Sequence, residues 1–376
     1  MNRPAPERPR VLILPSSYFA GSRTVGGGER YAFEYARALA RLTPTTLALI
    51  DRKPGRARHG ELEERTFPAR TLDERSWLPI GMEVWKELGG FDVVHLMVFP
   101  TPLSDLAVLI ARLRRRTLVL TDVGGGIPSA STYLQRLHPR LSLNRLADGL
   151  ALLSRHSAAQ FSSWPHPTTI LYGGAEVPET APEEAAPQGY ALYVGRLLPH
   201  KGVLPLIEAM SETTRLRVVG RPYDADYLAR LREAARGKAV EFILDADDEE
   251  LRRQYLGASV VLQPSIPVAS GTDDTSELLG LVTLEGMAHG KPVIVTRTAS
   301  LPELVRDGET GYIVEPGDAR ALREHVDLLV ANPATSREMG ARGREHVREH
   351  FSWDRVARRG LDFYRSLATR EDRSHR

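Results

Sequence analysis

Two carboxylates offer the most specific chemistry in this chain. Glu277 and Glu285 stand eight positions apart, with Leu278, Leu279, Gly280, Leu281 and Val282 between them and a polar loop from Ser270 ahead of them. A loop that delivers one carboxylate, exposes backbone amides and opens a helix with a second carboxylate suits an anionic, hydroxyl-rich ligand. Its negative charge would sit on the amides at the helix start, and its hydroxyls would bond the carboxylates. Two other readings are open: an ordinary loop–helix–strand connection in which Glu285 caps the helix, and an acid–base pair for glycoside hydrolysis, which needs carboxyls about 5–10 Å apart across a bound sugar.

A second cluster follows the apolar run Tyr190–Val194, where Gly195-Arg196 precedes Lys201-Gly202. Arginine offers a planar fork and lysine a compact charge, and together they suit a diphosphate whose charge must be neutralised on departure. Basic residues are almost all arginine; Lys53, Lys86, Lys201, Lys238 and Lys291 are the only lysines. The alternative is a solvated surface pair. A phosphate clamp has no purpose in glycoside hydrolysis, which weighs against that rival.

Near the start, Gly26-Gly27-Gly28-Glu29-Arg30 follows the run Val11–Leu14 after eleven residues and leads into a helical pattern. Glycines there let backbone amides approach a ligand at a helix N-terminus, or serve loop geometry alone. A dinucleotide fingerprint fits less well, although Asp51 ends the second strand: Tyr31 stands where a third glycine belongs, and the loop is too long for the tight first turn. Asp122 and Gly124–Gly126 follow another strand, and Asp122 either contacts a sugar hydroxyl or caps a turn. His95 also ends a strand, and reads as a packed, hydrogen-bonded side chain.

The elements that must position these residues alternate. Strand patterns at 11–14, 47–50, 93–97, 118–121, 150–153 and 169–171 are separated by helical ones at 29–42, 83–88, 103–113, 132–146 and 155–161. The alternation restarts with strands at 190–194, 216–219, 240–244, 260–262, 293–295 and 312–314. Helices at 203–210, 226–235, 248–255 and 319–330 lie between or after them. The pattern predicts two doubly wound α/β halves with parallel sheets, and ligands in such sheets sit at the carboxyl ends of the strands. The candidate residues do follow strands. Helical patterns at 336–350 and 354–367 close the chain, with an interruption near Phe351-Ser352-Trp353. The acidic, proline-rich stretch 176–189 reads as a linker. The expected organisation is a tail at 1–9, domains at 10–175 and 190–353, and a final helix at 354–376 crossing back to the first domain.

The bulk numbers agree. A length of 376 residues fits two domains of about 150–190. A hydrophobic fraction of 42 % and a charged fraction of 26 % are those of a soluble globular chain. The net charge of +2 gives no global reason to expect nucleic acid. The absence of cysteine removes disulfides, thiolate metal sites and cysteine nucleophiles. No run approaches the ~20 apolar residues of a membrane span, and Met1–Arg10 lacks a signal-peptide core, so the expected location is the cytoplasm.

The Gly-Arg…Lys cluster, the paired glutamates and the opposite glycine-rich loop form a set. In that set the chain resembles the family-4 retaining glycosyltransferases of GT-B fold (glycosyl transferases group 1). The resemblance runs from Val11 to about Leu367 and is densest over Glu277–Pro316, including Glu-Gly-Met-Ala-His-Gly-Lys-Pro from Glu285 and Leu-Pro-Glu-Leu-Val-Arg-Asp-Gly from Leu301. It implies two Rossmann-like domains facing across a cleft, and metal-independent transfer of a sugar from a nucleotide sugar, a co-substrate, with no resident cofactor. It further implies that Arg196 and Lys201 hold the diphosphate, Glu277 contacts the transferred sugar, and Glu285 contacts the ribose. Amides around Gly280, Leu281 and Val282 would add to the phosphate site, and Gly27 and Gly28 would close over it. One departure stands out: many relatives carry a histidine in the loop after the strand ending at Thr121, where this chain has Asp122 and Val123. Asp122 either inherits part of that role or the acceptor site is built differently. Two alternatives are an epimerase of the same fold and a weakened nucleotide-sugar-binding subunit. Relatives acting on lipid-linked acceptors dock on anionic membranes, and the arginines at 112, 114, 115, 116, 136, 140 and 145 make that surface a candidate here, against a merely solvated basic face.

Overall fold

The computed structural model describes residues 7–15, 26–51, 53–68, 86–97, 102–121, 143–178, 188–267 and 277–374. The candidate Asp122, the glycines 124–126, the arginines 136 and 140, most of the expected 132–146 helix and the loop from Ser270 to Ser276 lie outside them. The chain divides into two units, residues 1–173 with 353–376, and 174–352.

The first unit is built on an eight-stranded sheet in the order β3-β4-β2-β1-β5-β6-β7-β8. The strands are β1 (Val11–Pro15), β2 (Thr45–Asp51), β3 (Gly55–His59), β4 (Leu62–Pro68), β5 (Val93–Met97), β6 (Thr117–Thr121), β7 (Gly149–Leu152) and β8 (Thr168–Ile170). All neighbours are parallel except β3 and β4. The central strands β1, β5 and β6 are buried along nearly their whole length, as expected of parallel strands covered on both faces. Helix α1 (Gly27–Ala40) buries Tyr31, Tyr35, Ala38 and Leu39 on one stripe. Helices α2 (Pro102–Leu113) and α3 (Arg155–Gln160) follow β5 and β7.

The β3–β4 hairpin is absent from the sequence expectation, and the reason is physical. Every residue of β3 is exposed, so no apolar alternation marks it. Of the expected helix at 83–88, the described residues 86 and 87 are helical and run into the 3₁₀ segment Leu88–Gly90. The described end of the 132–146 pattern is a 3₁₀ turn, Leu143–Leu146.

The second unit carries a six-stranded, wholly parallel sheet in the order β11-β10-β9-β12-β13-β14. Its strands are β9 (Ala191–Val194), β10 (Leu216–Val219), β11 (Val240–Ile243), β12 (Val260–Gln263), β13 (Val293–Thr296) and β14 (Gly311–Val314). Strand order reverses between β9 and β12, which makes that pair the switch point where ligands of such sheets bind. The helices are α4 (Val203–Ala209), α5 (Ala225–Ala234), α6 (Asp248–Gly257), α7 (Leu281–Ala288), α8 (Ala319–Ala331) and α9 (Pro333–His350). Asp224, Asp247 and Asp318 cap α5, α6 and α8 by accepting the amides of Tyr227, Glu250 and Ala321, so each start is written in the chain.

The interruption expected near Phe351 is observed, and a new helix α10 (Trp353–Ser374) begins there and belongs to the first unit. It is tied in by a buried polar chain: Tyr364 shares hydrogen bonds with Tyr35 (2.7 Å) and with His95 Nδ1 (2.7 Å), and His95 Nε2 meets Thr121 (2.6 Å). Burial pushes His95 down to about 3. It is therefore a neutral structural side chain, as its sequence context suggested. No described helix is long and apolar enough to cross a membrane.

Lys291, in the turn between α7 and β13, is 8 % exposed, and burial lowers it from 10.5 to about 8. A lysine depressed on folding penalises the native state wherever it must be charged, so the penalty is whole below pH 8 and fades as pH rises towards 10.5. Lys291→Met should stabilise the chain at pH 7 by up to about 3 kcal/mol. Urea titrations should show that gain shrinking towards pH 10.

Candidate functional site

At the carboxyl end of β9 the chain turns sharply into α4. Gly195 passes its amide to Val219 O (3.0 Å), and the Tyr193 hydroxyl donates to Arg196 O (3.0 Å), fixing the loop that presents Arg196. Arg196 is exposed, and its guanidinium lies 5.7 Å from the centroid of the exposed Tyr223 ring. The 3₁₀ turn Pro199–Lys201 follows, and Gly202 starts α4 with φ 71°. A Cβ at Gly202 would overlap the Pro264 carbonyl, so both conformation and proximity demand glycine here.

The second approach comes from the segment before α7. Gly280 adopts φ 56°, and a Cβ there would overlap Leu304. Glu277 sits three residues earlier, its carbonyl held by the Ser300 hydroxyl (2.6 Å). Its carboxylate ion-pairs with Lys201 Nζ, the two side chains being 11 % and 17 % exposed. Burial alone would push the Glu277 carboxyl up. The Lys201 charge and hydrogen bond, with hydrogen bonds from the Gln263 side chain and the Gly280 amide, outweigh burial and hold it below the ordinary carboxylate range. Tyr193 is pushed well above the ordinary phenol range by burial and by the Glu277 charge. His200 is lowered by burial and by the neighbouring Lys201 and Arg196 charges.

Helix α7 is buried nearly all round, as a helix apolar on every face must be. Glu285 lies within it at 9 % exposure and accepts a hydrogen bond from the Tyr255 hydroxyl (2.8 Å). The Gly280 amide is turned to Glu277, and the start of α7 has no side-chain cap. The first-turn amides of Leu281 and Val282 have no partner within the helix by geometry.

Of the residues singled out from sequence, Lys201 and Glu277 are in direct contact, with Arg196 on the same loop as Lys201 and Gly280 beside Glu277. Gly27 and Gly28 open α1 in the first unit, after Gly26 at the N-cap. Sequence reasoning overlooked Gln263, Thr283, Tyr193 and Ser300. Gln263 left one signal: a polar residue ending the apolar run Val260–Leu262 at a strand's carboxyl end.

This geometry sits within a region, residues 179–346, that matches the family model described as Glycosyl transferases group 1. A GDP-mannose-dependent alpha-(1-6)-phosphatidylinositol monomannoside mannosyltransferase of Mycolicibacterium smegmatis is 30 % identical over 281 residues, covering 67 % of this chain and 71 % of that one. The chain belongs to the glycosyl transferases group 1 family. An alpha-maltose-1-phosphate synthase of Mycobacterium tuberculosis is 32 % identical over 193 residues, about half of each chain (47 % and 48 %). Among solved structures, sucrose-phosphate synthase of Thermosynechococcus elongatus superposes with TM-score 0.71 at 24 % identity, over 95 % of this chain and 99 % of that one. HepE of Anabaena in complex with UDP gives 0.70 at 18 % identity, over 95 % and 100 %. The fold is GT-B, and the group 1 membership makes the chain a glycosyltransferase.

The ion pair has a pH signature. In the wild-type chain the depressed Glu277 carboxyl stabilises the fold above the ordinary value of 4.5, and that stabilisation is lost as pH falls through its folded value. Lys201→Met reverses the sign by leaving a buried carboxylate unpaired, which costs about 3–5 kcal/mol. The variant should lose that stability at pH 7 and recover part of it as acid protonates Glu277. Urea titrations at pH 7 and pH 5 check the reversal.

Proposed function

We propose that this chain is a retaining, metal-independent hexosyltransferase that moves a sugar from a nucleoside diphosphate sugar to an acceptor hydroxyl. The observation that carries the reading is the Lys201–Glu277 contact beside Arg196, at the switch point of the second sheet. When the bond between the anomeric carbon and the phosphate oxygen breaks, negative charge grows on the diphosphate. Arg196 and Lys201 supply positive charge there without rearrangement. Positive charge grows on the sugar ring, and Glu277, kept ionised, offsets it. The acceptor oxygen bonds to the anomeric carbon on the face the phosphate leaves, and its proton passes to the departing phosphate oxygen, so no protein base is needed.

In this proposal the amides of Leu281 and Val282 assist the phosphate and Glu285 bonds the ribose. Gly27 and Gly28 add phosphate-binding amides, and Asp122 contacts the sugar. The relatives' names make GDP-mannose one donor to test, and the UDP complex makes UDP-glucose another. Arg196→Ala and Lys201→Ala should each lower turnover roughly 10²–10³-fold, measured as nucleoside diphosphate release; full activity in either removes that residue from the clamp. Glu285→Gln should weaken nucleotide binding more than it slows transfer, and the opposite split would move Glu285 into the chemistry.

We also propose that this cytoplasmic chain docks on anionic bilayers through its first unit. Leu109, Leu113, Leu143 and Leu146 are among the few exposed large apolar residues. Arg112 joins the two elements by donating to Leu146 O (3.0 Å), and the exposed Arg114, Arg115 and Arg145 adjoin these leucines in the chain. Exposed leucines interleaved in the chain with arginines match the interface of an acidic membrane. Flotation with acidic-phospholipid liposomes should carry the protein up at low salt, and Leu109→Gln with Leu113→Gln should release it. Wild-type protein left in solution ends this idea.

A further inference from the structure

We propose that Tyr255 is a positioning residue that aims the Glu285 carboxylate at the donor's ribose. The inference rests on the reading that Glu285 bonds that ribose. Glu285 is the one charged residue of helix α7, which is otherwise built of apolar residues, Thr283 and Gly286. Tyr255 lies in the last turn of α6, and its hydroxyl donates to Glu285 Oε2 at 2.8 Å. Both side chains are buried. Replacing both members of a buried pair by apolar groups of the same shape is close to neutral for stability, so the fold alone does not require a carboxylate here. A ligand hydroxyl does.

The helix backbone beside Glu285 is fixed by close packing. A Cβ added at Gly286 would meet the Val261 Cβ at 3.0 Å, so α7 lies tight against β12. The glutamate side chain keeps its own rotatable bonds, and the tyrosine hydroxyl restrains them. Tyr255 is held on its face in turn. The half-buried His289 ring stacks on it, with centroids 4.9 Å apart and planes 12° from parallel. His289 Nδ1 lies 2.8 Å from the Glu285 carbonyl oxygen and therefore donates to it. The contacts close a loop: the Glu285 backbone anchors His289, His289 backs Tyr255, and Tyr255 holds the Glu285 carboxylate. A phenol is a neutral donor, and a carboxylate accepts about four hydrogen bonds, so this bond orients the group without neutralising it. Ribose carries two adjacent cis hydroxyls, and a carboxylate receives both only when its plane is turned to them.

The test uses the full chain and calorimetry with UDP, GDP and their 2′,3′-dideoxy counterparts. Wild-type protein should bind the ribose form of its nucleotide about tenfold or more tightly than the dideoxy form. Tyr255→Phe keeps the ring and removes the hydroxyl. It should cut that preference to about threefold or less and leave dideoxy affinity within about twofold. His289→Leu keeps the hydroxyl but loses the stack, and should give an intermediate loss. Glu285→Met should abolish the preference, and adding Tyr255→Phe to it should change nothing further, because the tyrosine acts through the carboxylate. That double variant removes both buried partners together, which is close to neutral for stability. A tyrosine that only packed would weaken both nucleotide forms alike or neither. An unchanged ribose preference in Tyr255→Phe therefore overturns the proposal, whatever happens to melting temperature. Spectra of ¹³C-labelled tyrosine, assigned through Tyr255→Phe, need no ligand: the Tyr255 Cζ signal should move in Glu285→Met, and an unmoved signal also overturns the proposal. Wild-type protein that binds neither nucleotide, or Glu285→Met that keeps the preference, removes instead the ribose role of Glu285 and the positioning role with it.

Discussion

The ion pair between Lys201 and Glu277 is the constraint on which the second unit's architecture depends. Each side chain is largely removed from water, and a buried charge is tolerated only when paired and hydrogen-bonded. The pair joins residues 76 positions apart, so two separate segments must arrive within one hydrogen bond of each other. Gly202 and Gly280 make that possible. Both take positive φ, and both pass so close to neighbouring atoms that any side chain would force the segments apart.

What brings those segments together is the order of the strands. β9 ends in the Arg196–Lys201 loop, and β12, its parallel neighbour, ends in Gln263. Helix α7, which begins just after Glu277, packs on β12 and β13. Lys201 and Glu277 thus meet at the carboxyl end of the sheet's two central strands. Burial of α7 fixes its rotation, which places Thr283 against Gln263 and Glu285 against Tyr255. Rigidity here serves electrostatics: donors already aimed at a charge need no reorganisation when that charge grows.

The sequence showed the α/β alternation because buried parallel strands are continuous apolar runs, as in Val260–Leu262 or Val93–Met97. The break at Phe351 was legible for a similar reason, since polar and aromatic residues interrupt a long helical pattern. The β3 strand was not legible: its residues Gly55–His59 face solvent, and pairing with β4 alone defines it. Within the site, Lys201 stood out by rarity and Glu277 by spacing. Gln263 and Thr283 did not, because the hydrogen bond between them arises only when a strand end and a helix start are packed together.

The identity of the cation at position 201 follows from these contacts. An arginine in its place would meet Glu277 through a planar fork, and a bidentate pair would commit its donors to the carboxylate. Lysine carries three donors on a compact ammonium. In the proposed reaction it would keep one hydrogen on Glu277 and turn the others to an incoming phosphate, so one cation would serve the carboxylate and the leaving group together. Arg196 has the complementary situation. It is exposed and stands over the Tyr223 ring rather than in a buried pair, which in the proposed reaction leaves its fork for a diphosphate. In the proposed reaction, the division of labour between a buried lysine and an exposed arginine would let one small site hold a carboxylate charged in the resting state and still neutralise a departing dianion.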